Sequence, residues 1–168
     1  YQNLDLLGEF RKSIAEIVAI RQRPVVCYIA NVVKPRKSSI SIEDSDDLPF
    51  NEMIASLPAE CKKIDIVLVT PGGFAHQVAK FVNKLRPRFD EIGFILLNKA
   101  MSAGTIFIMS GDEIIMTNQS QIGPVDPQVR TSTGEFVPAQ SILTLIEEFR
   151  TRGEELMKKG QQPPWTDL

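Results

Sequence analysis

Apolar positions at Leu4, Leu7, Phe10, Ile14, Ile17 and Val18, with charges between them, have the three-to-four spacing of an amphipathic helix and predict one over residues 3–21. Pro24 marks its end. The period then changes: residues 25–33, 64–69, 91–97 and 113–117 are short, β-branched or aliphatic runs of the kind that form buried strands. Between them, helical spacing returns over residues 50–57, over 74–85 and in the small-residue apolar run after Ser102. A last helix is expected over 142–157, weakened by Gly153. Strands alternating with helices favour a mostly parallel sheet joined by right-handed crossovers, an α/β fold read as one domain over residues 1–168.

One stretch breaks the rhythm. KPRKSSISIEDSDDLP, residues 34–49, is basic at one end, acidic at the other and without an apolar period. It reads as a loop, either a solvated connection or a substrate-facing flap.

Composition narrows the function classes. Forty-three per cent hydrophobic and 24% charged residues are ordinary for a globular protein, and the net charge of -2, from 19 basic and 21 acidic residues, supplies no field for nucleic acid or an anionic membrane. Cys27 lies in an apolar run and Cys61 beside a lysine pair, with no metal-binding spacing, so both read as reduced thiols of a cytoplasmic protein that needs no metal or cofactor. No run approaches the ~18 apolar residues of a membrane span. The chain starts without Met and stops after QQPPWTDL, which leaves an upstream anchor or a downstream segment open.

Two strand-to-helix turns carry candidate chemistry. Loops at the carboxyl ends of parallel strands are where ligands bind such sheets. The first turn is Thr70-Pro71-Gly72-Gly73, whose glycines permit positive φ and expose backbone N–H groups. The second is NKAMSAGT, where Ser102 is flanked by small residues. A serine acts as a nucleophile when a base takes its proton and N–H donors receive the oxyanion, each donor being worth about 100- to 1000-fold in rate. The N–H of Ala103 and those of the Gly72–Gly73 turn could serve. The plainer reading is that Ser102 caps the following helix, a common role for serine. PGG by itself is an ordinary turn and lacks the form of a phosphate-binding loop.

Taken together, IDIVLVTPGGFAHQVAKFV, FILLNKAMSAGTIFIMSGDEIIM and SQIGPVDPQ resemble the ClpP/crotonase-like serine peptidases. These include the Clp protease proteolytic subunit, the signal peptide peptidase A group and, most similar, the serine dehydrogenase proteinases. The resemblance spans about residues 64–128, with three motifs in order. It implies a ClpP/crotonase-like fold, Ser102 as nucleophile, and Gly72, Gly73 and Ala103 as oxyanion donors. It also implies a peptide or protein substrate and assembly into a homo-oligomer.

The general base does not follow. Clp-type peptidases take a histidine from the stretch that resembles IGPVDPQ, and residues 122–128 contain none. The sole histidine, His76, falls on the side of its expected helix opposite Phe74, Val78, Phe81, Val82 and Leu85, toward solvent. Lys99, Lys158 and Lys159 are alternatives in the manner of the Ser-Lys dyads of signal peptide peptidase A relatives. Asp126 is a candidate for orienting a partner. Two other classes of function stay open beside the peptidase: a crotonase-type acyl-CoA enzyme, in which the same turns polarise a thioester, and a non-catalytic binding scaffold.

Overall fold

The structure, a computed structural model, describes residues 5–32, 40–126, 128–131, 134 and 136–163, the side chains of 130 and 136 excepted. The chain divides into two compact units, residues 1–125 and 126–168.

The first unit is a parallel sheet flanked by helices. Helix α1 (Leu6–Arg21) is capped by the Asp5 carboxylate, which accepts the Gly8 N–H at 2.9 Å. It ends at Gln22 in the left-handed conformation, two residues before Pro24. Strands β1 (Val25–Ile29), β2 (Lys63–Thr70), β3 (Glu91–Ala100) and β4 (Glu113–Met116) follow in that spatial order, all parallel. Between them run α2 (Asp47–Ala55), α3 (Ala75–Leu85) and α4 (Ala103–Met109). A two-residue strand β5 (Gln121–Ile122) pairs with the end of β3, Lys99 opposite Gln121 and Ala100 opposite Ile122.

Alternation along the central strands sets the two faces. Ile64, Ile66 and Leu68 of β2 and Ile92, Phe94 and Leu96 of β3 enter one core with Phe50, Ile54, Val78, Phe81, Leu85 and Phe107 of the helices. Aromatic rings fill its centre: Phe50 stacks on Phe81 with centroids 4.0 Å apart, and Phe94 meets Phe107 edge-on at 4.9 Å. The other face carries Asp65, fully buried at the amino-terminal side of the sheet. Its carboxylate accepts Arg21 Nε at 2.6 Å and Arg23 Nη1 at 3.4 Å, while Arg21 also pairs with Glu113. This tethers the end of α1 to β2 and β4. Both β2 and β3 are buried along most of their length, as strands covered on both faces must be.

Three expectations need correction. The run at 25–33 is a strand only to Ile29; Ala30 adds one bond to the Val69 carbonyl, and residue 33 lies outside the described residues. The loop at 34–49, described only from residue 40, does not remain unstructured. Ile42 is fully buried and bridges Gly73, residues 44–46 form a 3-10 turn, and α2 starts at Asp47 rather than Phe50. A single buried isoleucine gives no period to detect, and the acidic residues that looked like a solvated tract supply capping: Asp46 Oδ2 accepts both the Glu43 N–H and the Tyr28 hydroxyl. Pro49 fits because the first turn of a helix needs no N–H there. Phe74 is also no core residue, since it precedes α3 and is 55% exposed, while Gln77 is buried beside Val78.

The second unit has an antiparallel pair, β6 (Gln128–Arg130) with β7 (Phe136–Pro138), leading into helix α5 (Ala139–Lys158). The two short strands carried no legible period.

Candidate active site

The two turns singled out in the sequence meet. β2 ends at Thr70 and β3 at Ala100, which are register partners beyond an irregularity that starts after Leu68 and Leu96. The Met101 N–H donates to the Thr70 carbonyl at 3.2 Å. A Cβ placed on Gly72 would lie 2.5 Å from the Met101 carbonyl oxygen and 2.8 Å from Ser102 Cβ. Only glycine lets the backbones approach so closely.

Ser102 itself is strained. Its φ of 50° and ψ of -118° lie outside the regions favoured by L residues. Among the described residues, the other non-glycine with positive φ is Gln22, a helix cap in the ordinary left-handed well. Such strain costs about 1–3 kcal/mol and persists where the surroundings enforce it. A sharp, strained strand-to-helix turn is how α/β-hydrolases expose a nucleophilic serine. The capping alternative does not hold: Ser102 occupies the position before α4, yet its side chain makes no capping hydrogen bond.

The N–H groups around Ser102 are accounted for as follows. Gly104 donates to the Met101 carbonyl at 2.8 Å and Thr105 to the Ser102 carbonyl at 2.9 Å. Gly72, with φ of 100°, donates to Thr70 Oγ1 at 3.1 Å, so its N–H is engaged within the turn. The N–H groups of Gly73 and Ala103 have no acceptor among the described residues. Gly73, with φ of 150°, is exposed, and an added Cβ would overlap the Ile42 backbone. Thr105 Oγ1 lies within hydrogen-bond distance of the Gly123 carbonyl at 2.8 Å and the Ala100 carbonyl at 3.0 Å, so its one O–H ties α4 to the ends of β3 and β5.

Within the first unit, the candidate bases His76 and Lys99 stand on different elements, α3 and β3. His76, at the start of α3, has a side chain 57% exposed; its Nε2 lies 3.3 Å from Asp44 Oδ1 and its ring stacks on Phe74. Lys80 also pairs with Asp44 at 2.8 Å, and Lys80 first, then His76, holds the Asp44 carboxyl below the usual carboxylate range. Lys99 is half-buried on β3 opposite Gln121. Asp126, Lys158 and Lys159 belong to the second unit. Both cysteines are free, and burial pushes the Cys27 thiol up.

Sequence reasoning gave Thr70 and Thr105 no role although both lay in the flagged turns, and it passed over Ile42. Thr70 opens the first flagged turn, and its side-chain role as an acceptor for Gly72 was not legible from residue type. Ile42 was hidden in a stretch without period.

Comparison with known proteins places this geometry. An uncharacterized protein of Methanocaldococcus jannaschii, MJ0137, is 35% identical over 109 residues, which are 65% of this chain and 35% of that protein. This chain thus matches about a third of its relative's length. Two solved structures share the fold. A serine-to-alanine mutant of the 1510-N membrane-bound stomatin-specific protease superposes with a TM-score of 0.55 at 19% identity, covering 83% of this chain and 65% of that one. A lysine-to-alanine mutant of the same protease, in complex with a substrate peptide, gives 0.54 at 20% identity over 79% and 59%. The profile of the ClpP-like SDH-type serine proteinases matches residues 6–156. With nine-tenths of its length under that profile and both turns in place, the chain belongs to the ClpP-like SDH-type serine proteinase family.

Proposed function

We propose that this chain is a serine peptidase in which Ser102 is the nucleophile and the Gly73 and Ala103 N–H groups form the oxyanion hole. The observation that carries the reading is the strained, uncapped Ser102 packed against a glycine turn, with two N–H groups that have no acceptor among the described residues. Ser102 Oγ attacks the peptide carbonyl carbon as a base removes its proton, and the carbonyl oxygen becomes an oxyanion that accepts from the two N–H groups. Collapse breaks the C–N bond, the amine leaves with the proton, and water then hydrolyses the acyl-enzyme.

For the base, His76 is the imidazole the chain offers. A lysine is the other choice. The lysine substituted in the peptide complex of the stomatin-specific protease supports testing Lys99 beside His76. Substrates are peptides or proteins, and the working form is a homo-oligomer of cytoplasmic chains. Among the described residues no helix is long and apolar enough to cross a membrane.

A fluorophosphonate probe tests the reading, because it phosphonylates an activated serine. The wild-type protein is expected to label and Ser102→Ala to remain blank. An unlabelled, folded wild type refutes the peptidase assignment; thermal stabilisation by coenzyme A would then favour acyl-CoA chemistry, and no response to either would favour a scaffold. Labelling of His76→Gln and Lys99→Gln identifies the base by which substitution abolishes it.

A further inference from the structure

We propose that Thr70 is a positioning residue that locks the oxyanion-binding turn to the nucleophile, an inference that rests on the peptidase reading of Ser102. Thr70 is fully buried and touches both turns with three different groups. Its Oγ1 accepts the Gly72 N–H at 3.1 Å, its carbonyl accepts the Met101 N–H at 3.2 Å, and its Cγ2 fills the space that a Cβ on Gly104 would need.

The consequence follows from peptide planarity. Gly72 joins two peptide planes, and a glycine offers little resistance to either plane turning. The plane before it is held by its N–H on Thr70 Oγ1. The plane after it is held by its carbonyl, which accepts the Ile42 N–H at 2.8 Å. Because a trans peptide points its C=O and N–H in opposite directions, fixing the Gly72 carbonyl on Ile42 directs the Gly73 N–H away from Ile42. One hydroxyl and one backbone N–H therefore hold the two planes that meet at Gly72 and so aim the donor, while the Thr70 methyl packs against Gly104 at the start of α4. Valine in this place would keep the methyl and lose the acceptor. Serine would do the reverse.

The test compares Thr70→Val and Thr70→Ser with wild type by second-order rate of fluorophosphonate labelling, by Tm, and by amide hydrogen exchange at Gly72. Loss of a full oxyanion donor costs about 100- to 1000-fold, so a misaimed one is expected to slow Thr70→Val about 10- to 100-fold. Thr70→Ser should label within about threefold of wild type even where its missing methyl lowers Tm, a split that a purely structural role would not produce. Gly72 exchange should accelerate in Thr70→Val and not in Thr70→Ser. The proposal is overturned if Thr70→Val labels within threefold of wild type or if Thr70→Ser is as slow as Thr70→Val. Should the wild type not label, the peptidase reading fails and exchange decides the clamp: unchanged Gly72 protection in Thr70→Val overturns it, and accelerated exchange confined to Thr70→Val upholds it.

Discussion

Gly72→Ala probes the contact between the two turns most sharply. The substitution carries two costs. A non-glycine residue at φ of 100° pays about 1–2 kcal/mol for backbone strain. The new methyl would also stand 2.5 Å from the Met101 oxygen and 2.8 Å from Ser102 Cβ, an overpacking that typically costs about 1–3 kcal/mol. Together these give about 2–5 kcal/mol, and at about 2–4 °C per kcal/mol for a chain of this size Tm should fall by roughly 4–20 °C. Gly160→Ala is the internal control, because Gly160 has φ of 71° with nothing within 4 Å of an added Cβ and so carries the strain without the clash. Differential scanning fluorimetry reads both, and fluorophosphonate labelling at a temperature where both are folded reads the site. Gly72→Ala should lose clearly more Tm than Gly160→Ala and label at least tenfold more slowly than wild type. Equal losses of Tm, or wild-type labelling of Gly72→Ala, would refute the contact between the turns.

Other expectations follow from the rest of the structure. Asp65→Ala removes a fully buried carboxylate and leaves Arg21 and Arg23 short of a partner; breaking such a pair costs about 3–5 kcal/mol, so Tm should fall by roughly 6–20 °C, and a fall under 2 °C would contradict the tether. Phe107→Ala empties the place where Phe50, Phe81 and Phe94 converge and should cost about 3–5 kcal/mol in urea unfolding, whereas a cost under 1 kcal/mol would mean the cluster is not central. Asp112 is held below the usual carboxylate range by the Ile92 N–H and by Arg86, Glu91 by Lys63 and Arg23, and Glu113 by Arg21. Folded values below the unfolded ones, which lie near about 4, mean that these groups stabilise the fold above that pH and lose their contribution as pH falls through the folded values. Tm measured from pH 7 to 3 should therefore decline below about pH 4, and Asp112→Asn should soften that decline; an unchanged acid limb in that variant would contradict the assignment.

The sheet and its helices were legible because they rest on period. IDIVLV and EIGFILL could hardly be anything but buried strands, and the charged side of α3 was visible from the spacing of Val78, Phe81 and Leu85. Ser102 and the two glycines could be singled out because small residues at strand ends are unusual. Other features depend on tertiary contacts that leave no trace in order or composition. The Ile42–Gly73 bridge is made by backbone, so any side chain could have stood there as far as the pattern told. Ion pairing of Asp65 with Arg21 joins residues 44 apart, and in the sequence Asp65 merely interrupts an apolar run. The capping alternative for Ser102 was reasonable on residue type, yet its side chain makes no capping hydrogen bond, and a φ of 50° with a ψ of -118° leaves no trace in residue order.

The central claim is that Ser102 is chemically activated by its place between the turns. The direct measurement is mass spectrometry of the fluorophosphonate-treated protein after trypsin, which cuts after Lys99 and Arg130 and so releases residues 100–130. The account predicts one phosphonyl adduct on that peptide, localised by fragmentation to Ser102, and its absence from Ser102→Ala. An adduct on Ser110, Ser120 or another residue, or a folded wild type with no adduct, would contradict it.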